Sequence, residues 1–296
     1  MSDPKPQSTV FIDELLPGDV LLSMARNAEI SKVIAWCSDS EYSHAAIVAD
    51  QGRLFEANGK GARYTDLAER ARDTDHYMYV RAVRLKNRGG QPFDTDQRDQ
   101  VVAKIRSLEG TPYPFGDILT LGMAVAARRK LIEDEWLRTF VYLLMDYLIP
   151  RCSDAMSCAE LVFRCLSENA VQPKRWLEPE ILVPEPKKGP HWDINVPKLI
   201  KEFCKGISGD EEARKKFEWL CKYFCDGVNA APVTAEQYEQ RFQEFRRAFG
   251  LDPAPDAATV DAGFPIPNPN PRLIQPEDFA ETPSGTLLGD IKVRGD

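Results

Sequence analysis

The chain has 296 residues, of which 43% are hydrophobic, enough to build one large domain or two small ones around a substantial core. A formal charge of −8 and a pI near 5.2 exclude an extended nucleic-acid-binding surface. The most apolar run, residues 137–149, carries Arg138 and Asp146 and is too short to cross a bilayer. No apolar segment of a signal peptide follows the first six residues, so a cytoplasmic protein is expected. Seven cysteines at irregular spacing do not form a disulfide framework and are expected to be reduced.

Residues 1–9 are polar, contain two prolines and read as a loose tail. The stretch 15–23 is a Pro17-Gly18-Asp19 turn running into an apolar strand. Residues 27–36 carry Ile30, Val33 and Ile34 at helical spacing, with Cys37 at the end. Residues 42–49 and 53–58 then read as a hairpin. Its connection, Asp50-Gln51-Gly52, has three residues with Gly last, which fits a type I turn closed by a left-handed Gly and a bulge. That register puts Ala46 opposite Glu56 and makes Glu56 the diagonal neighbour of His44 on one sheet face. A two-residue loop would turn Glu56 to the other face. A short helix is expected over 64–72, a strand over 76–85 and an amphipathic helix over 94–108. Residues 117–150 have a helical pattern, with two helices meeting near Arg128.

Residues 155–166 read as a helix opening with a cysteine. Ser157 is a good N-cap, Glu160 completes a Ser-x-x-Glu capping box, and Cys158 falls at the first helical position. Leu161, Val162, Cys165 and Leu166 mark the inward face. A sulfur at the positive end of a helix dipole, among unpaired N–H groups, is favoured as thiolate. A buried structural cysteine is the commoner role for any single Cys, so the functional reading depends on a base. His44 and Glu56 supply one, together with a group to hold its ring. Cys158 would attack an acyl carbon, His44 would keep the thiol deprotonated and protonate the leaving group, and Glu56 would orient His44. The oxyanion would sit at the Cys158 amide.

The ordered set of His44 in Ser-His-Ala-Ala-Ile-Val, Glu56 in Phe-Glu-Ala and Cys158 in Ser-Cys-Ala-Glu-Leu-Val resembles the circularly permuted NlpC-like, papain-fold cysteine amidases, especially their YiiX/YaeF-like branch. Lecithin:retinol acyltransferase-like enzymes share the permuted order. The resemblance extends to residues 16–21, to Gly110-Thr111-Pro112-Tyr113, whose Tyr113 it places beside the site, and to a closing element at 273–279. It covers residues 12–166 and 272–285. It implies an α+β fold in which an antiparallel sheet packs on the cysteine helix, with an added helical module. The domains expected are a catalytic domain over 1–184, an inserted helical module over 185–252, a Pro-rich linker over 253–271 and a closing segment over 272–296 that returns to the catalytic domain. A cysteine hydrolase acting on a peptide, amide or lipid-ester substrate follows, without a cofactor.

Other readings compete for the same residues. Lipid acyl transfer or hydrolysis on the same triad is one, with the apolar run from Trp136 to Leu148 as an acyl-binding wall. A binding module, its helical insert facing a protein partner, is another. Cys37 with His76 or His191 would give the unpermuted order, but Cys37 ends its helix. Cys204, Cys221 and Cys225 lie in a helical pattern beside aromatics and read as core, so no metal site is expected.

Overall fold

The computed structural model describes residues 8–38, 40–50, 52–114, 154–182, 265–266 and 269–295. The helices expected over 117–150, the module over 185–252 and most of the linker over 253–271 lie outside the described residues. So do His191, Cys204, Cys221, Cys225 and the run from Trp136 to Leu148.

The architecture is α+β, organised on a seven-stranded sheet. In chain order the strands and helices are β1 (Thr9–Phe11), β2 (Val20–Ala25), α1 (Glu29–Cys37), β3 (His44–Asp50), β4 (Arg53–Asn58), β5 (Gly61–Asp66), α2 (Leu67–Arg72), β6 (Tyr77–Leu85), α3 (Thr95–Ser107), α4 (Cys158–Ser167), α5 (Pro276–Glu281) and β7 (Gly285–Lys292). Across the sheet the order is β1-β7-β6-β2-β3-β4-β5. All pairs are antiparallel, as expected of this sheet, except β1 on β7, which is parallel. The two parallel strands lie far apart in sequence, so no tight turn constrains their direction.

Alternation along the strands divides the core. Val20, Leu22, Ala45, Ile47, Phe55 and Val83 face α3 and α4. Leu21, Ala46, Val48, Leu54 and Ala82 face the opposite layer, where Leu67 of α2 and Val10 of β1 cover them. With both faces buried, the central strands read as continuous apolar runs.

Two expectations are corrected. The helix expected over 64–72 begins only at Leu67. Residues 61–66 form β5, paired along β4 from Asn58↔Gly61 to Arg53↔Asp66. Asp66 then caps α2, accepting from the Glu69 amide at 2.8 Å. Within the stretch 1–9 expected as a loose tail, Ser8 Oγ donates to Leu288 O at 2.7 Å and Thr9 opens β1.

The closing segment enters the sheet through β7, between β1 and β6. Leu182 bridges Pro265, and Ile266 N donates to Ile181 O at 2.8 Å. The described residues on either side of the stretch 183–264 thus lie side by side.

Candidate active site

Helix α4 presents Cys158 at its first position, and the start is set by Ser157. Its backbone is extended (φ −70°, ψ 167°) and its hydroxyl accepts from the Glu160 amide at 3.3 Å. The reciprocal half of the expected capping box is not formed. Glu160 turns instead to Arg164, whose Nε donates to Oε1 at 3.0 Å. Charge explains the preference: α4 is buried on every side, and a carboxylate with no exposure is better satisfied by a guanidinium four residues on than by one amide.

The Cys158 sulfur, in a residue 4% exposed, lies beside the His44 side chain and the backbone N–H groups of Ala45 and Ala159, all of which favour its charged form. The Ala159 donor belongs to the first turn of α4, where amides lack intrahelical acceptors. The Ala45 donor is a product of the sheet. Val48 N donates toward β2, to Asp19 O at 2.8 Å, so alternation turns the Ala45 N–H toward β4. Pairing between β3 and β4 runs only as far as Ile47↔Phe55, and beyond it the Ala45 amide meets the sulfur.

Glu56 reaches His44 through the register of the hairpin. Ile47↔Phe55 and Val48↔Leu54 continue to Ala46 opposite Glu56, which sets His44 and Glu56 diagonally on one face. The turn differs from expectation. Asp50 pairs with Arg53, leaving a two-residue connection, and the register shifts between Val48 and Asp50. The extra residue is Ala49, within β3, and Gly52 takes the left-handed conformation at φ +85°. That bulge restores the register which an unbroken two-residue hairpin would lose.

His44 Nε2 lies 2.8 Å from Glu56 Oε2, which leaves Nδ1 for the thiol. Glu56 is 2% exposed, and Arg70 Nη2 donates to both its oxygens at 2.7 Å. Asn58 Nδ2 adds a longer bond to Oε1 at 3.3 Å. Burial opposes charge on each member of the line, and the neighbours overcome it. For Cys158, burial is outweighed by the His44 charge and the hydrogen bonds, and the thiol is held below its usual range. Burial likewise disfavours imidazolium, but the Cys158 thiolate and then Glu56 lift His44 to about 9. Glu56 is held well below the carboxylate range, against burial, by His44 and then Arg70. These influences together favour a thiolate–imidazolium pair with a carboxylate behind it.

Tyr113 packs against the core beside the site, and burial followed by the Cys158 charge raises its phenol. A pocket of about 220 Å³ opens alongside, walled by Ile30 and Ile34 of α1 and by His44, Glu56, Tyr77 and Tyr113. His44 keeps 20% of its side chain exposed, so a ligand can reach it.

No protein-family model and no curated protein matches the chain. Among solved structures it is similar to the metalloprotein yiiX from Escherichia coli O157:H7, at 14% identity and a TM-score of 0.41, over 97% of this chain and 98% of that one. Among the described residues, no group of three His, Cys, Asp or Glu side chains could hold a metal ion, and no helix is long and apolar enough to cross a membrane.

The competing residues fall elsewhere. His76 is an exposed side chain paired with Asp73 at 2.8 Å, and Cys37 is the last residue of α1. Cys165, two turns beyond Cys158, is buried, and desolvation pushes its thiol up to about 12. Sequence reasoning missed Arg70, Asn58 and the Ala45 amide. Asn58, at the end of the Glu56 strand, carried a signal in that position. Arg70 carried none, because the strand-to-helix switch at Asp66 that aims it at Glu56 was itself unread.

Proposed function

We propose that the chain is a cysteine hydrolase of the circularly permuted papain-like type, acting on an acyl amide or ester through a thioester on Cys158. The observation that carries the reading is the line of the Cys158 thiol, the His44 imidazole beside it and the Glu56 carboxylate bonded to that imidazole at 2.8 Å, with the thiol depressed and the imidazole raised.

In this reaction the thiolate of Cys158 attacks the acyl carbon, forming the C–S bond. The carbonyl electron pair moves to oxygen, which faces the α4 N-terminus and its Cys158 amide. The intermediate collapses as His44 Nδ1–H protonates the leaving nitrogen or oxygen, leaving the thioester and a neutral imidazole. Water then attacks the thioester, His44 Nδ1 takes its proton, and the acid departs with Cys158 again a thiolate beside imidazolium. Glu56 accepts from Nε2–H throughout and fixes the ring.

Alkylation of the native protein near neutral pH, mapped by peptide mass, tests the nucleophile. Cys158 should react stoichiometrically and ahead of the other cysteines, and His44→Ala should abolish that preference. Equal reaction at all seven cysteines would overturn the proposal. Panels of chromogenic amides and esters, with and without a second alcohol or amine acceptor, then separate hydrolysis from acyl transfer.

A further inference from the structure

We propose that Arg70 is a fourth, positioning member of the site, which keeps Glu56 ionised while His44 alternates between its charged and neutral forms and so holds His44 in the tautomer that can act as a base. The role rests on the reading of His44 as the base of a cysteine hydrolase.

The four side chains alternate in charge: Cys158 thiolate, His44 imidazolium, Glu56 carboxylate, Arg70 guanidinium. Each buried charge thus has an opposite neighbour while the enzyme rests. In the thioester that balance changes. The sulfur is neutral, and His44 must also be neutral to accept the proton of water. Glu56, 2% exposed, would then face its desolvation without imidazolium. If it took up a proton, the acid would donate to Nε2, and the imidazole's own proton would have to sit on Nδ1. The ring would then present N–H, not a lone pair, to the reacting centre. Arg70 removes this alternative, because its Nη2 reaches both carboxylate oxygens at 2.7 Å and is never deprotonated.

Arg70 is built to stay there. It lies in the last turn of α2, where a cation is favoured by the helix dipole, and it is 9% exposed with its guanidinium 4.6 Å from the Tyr77 ring centroid. Among the described residues, the other titratable groups facing the site are Cys158 on α4, Tyr113, Tyr77 on β6, and Asp73 just beyond α2, whose charge acts on Arg70 and Tyr77. Both tyrosines are held neutral by burial, so Arg70 is the cation that balances Glu56 once His44 is neutral.

Histidine NMR on the full-length chain tests this, since only three histidines are present and His44→Ala assigns the signal. Cys158→Ala removes the thiolate and reproduces the charge state of the thioester. In that background neutral His44 should carry its proton on Nε2. Adding Arg70→Met should raise the His44 titration by about one pH unit, because removal of a positive charge increases the proton affinity of the His44–Glu56 pair. The tautomer should also shift toward Nδ1–H, and Arg70→Lys should restore both readouts. If Arg70→Met does not fold, Arg70→Gln, which keeps a donor but no charge, carries the same test. An unchanged titration and tautomer in a folded neutral variant would overturn the role of Arg70. Failure of selective Cys158 alkylation in the unmodified chain would instead overturn the hydrolase.

Discussion

At the scale of residues, Cys158, His44 and Glu56, two buried and one half-buried, are favoured in charged forms that desolvation alone would disfavour, each by the next. Replacing Glu56 with Gln keeps the size and removes the charge. The His44 titration should then fall by about one unit, and Cys158 alkylation at pH 7 should slow by about tenfold. An unchanged rate would show that Glu56 is held only for packing. The same shifts tie stability to pH. His44 rises to about 9 from an ordinary value of 6.5, so its contribution is complete below 6.5 and is lost as pH climbs through 9. Glu56 is depressed, so its contribution is present above its ordinary value of 4.5 and is lost as pH falls toward its folded one. Urea melts across pH should show the alkaline loss moving down in Cys158→Ser, because the thiolate is the strongest influence raising His44.

At the scale of elements, the site depends on where strands end. The β3–β4 ladder stops at Ile47↔Phe55, and the Ala45 amide is thereby released to the sulfur. The edge strand β5 holds the stretch that carries Tyr113: Ala62 N donates to Thr111 O at 2.8 Å, and Gly110 N to Ala62 O at 2.9 Å. Met156 N then donates to Pro112 O at 2.9 Å, joining that stretch to the entry of α4. This close approach requires Gly61, at φ +88°, where a Cβ would stand 2.9 Å from Thr111 O. Gly61→Ala should therefore cost more than Gly52→Ala, which shares the positive φ but meets nothing within 4 Å. Urea melts should place the first near 2 kcal/mol and the second near 1 kcal/mol. Equal costs would show that the Thr111 contact yields freely. The hairpin strands and the cap of α4 were legible because alternation and capping are local, whereas the turn was not: the bulge at Ala49, not the loop length, keeps Glu56 on the His44 face. β5 was missed because Arg63-Tyr64-Thr65 has no alternation, and only pairing with β4 makes it a strand.

At the scale of the whole molecule, the closing segment holds the loop that delivers His44. Arg81 of β6, 1% exposed, donates through Nε to Asp290 of β7 at 3.1 Å and through Nη1 to Glu41 at 2.9 Å and the Tyr42 hydroxyl at 3.2 Å. Ser40 Oγ donates to Glu277 of α5 at 2.5 Å. Two elements from the end of the chain thus pin residues 40–42 immediately before β3. Arg81→Met should lower stability by about 2–3 kcal/mol in denaturant melts and slow Cys158 alkylation as well. A loss of stability with alkylation unchanged would separate this network from the site.

What the sequence by itself determined is local: a capped helix beginning at Cys158, and a hairpin whose first strand carries His44 and whose second carries Glu56, with the register left to the bulge at Ala49. Capping and alternation act over a few residues and leave their mark in residue order. Only the tertiary structure decided that the Ala45 amide meets the sulfur, that Arg70 balances Glu56 and that β7 returns beside β6. Each of these joins residues from separate elements, and the driving force is burial: a charge or an amide removed from water takes whichever partner the packed sheet brings within reach.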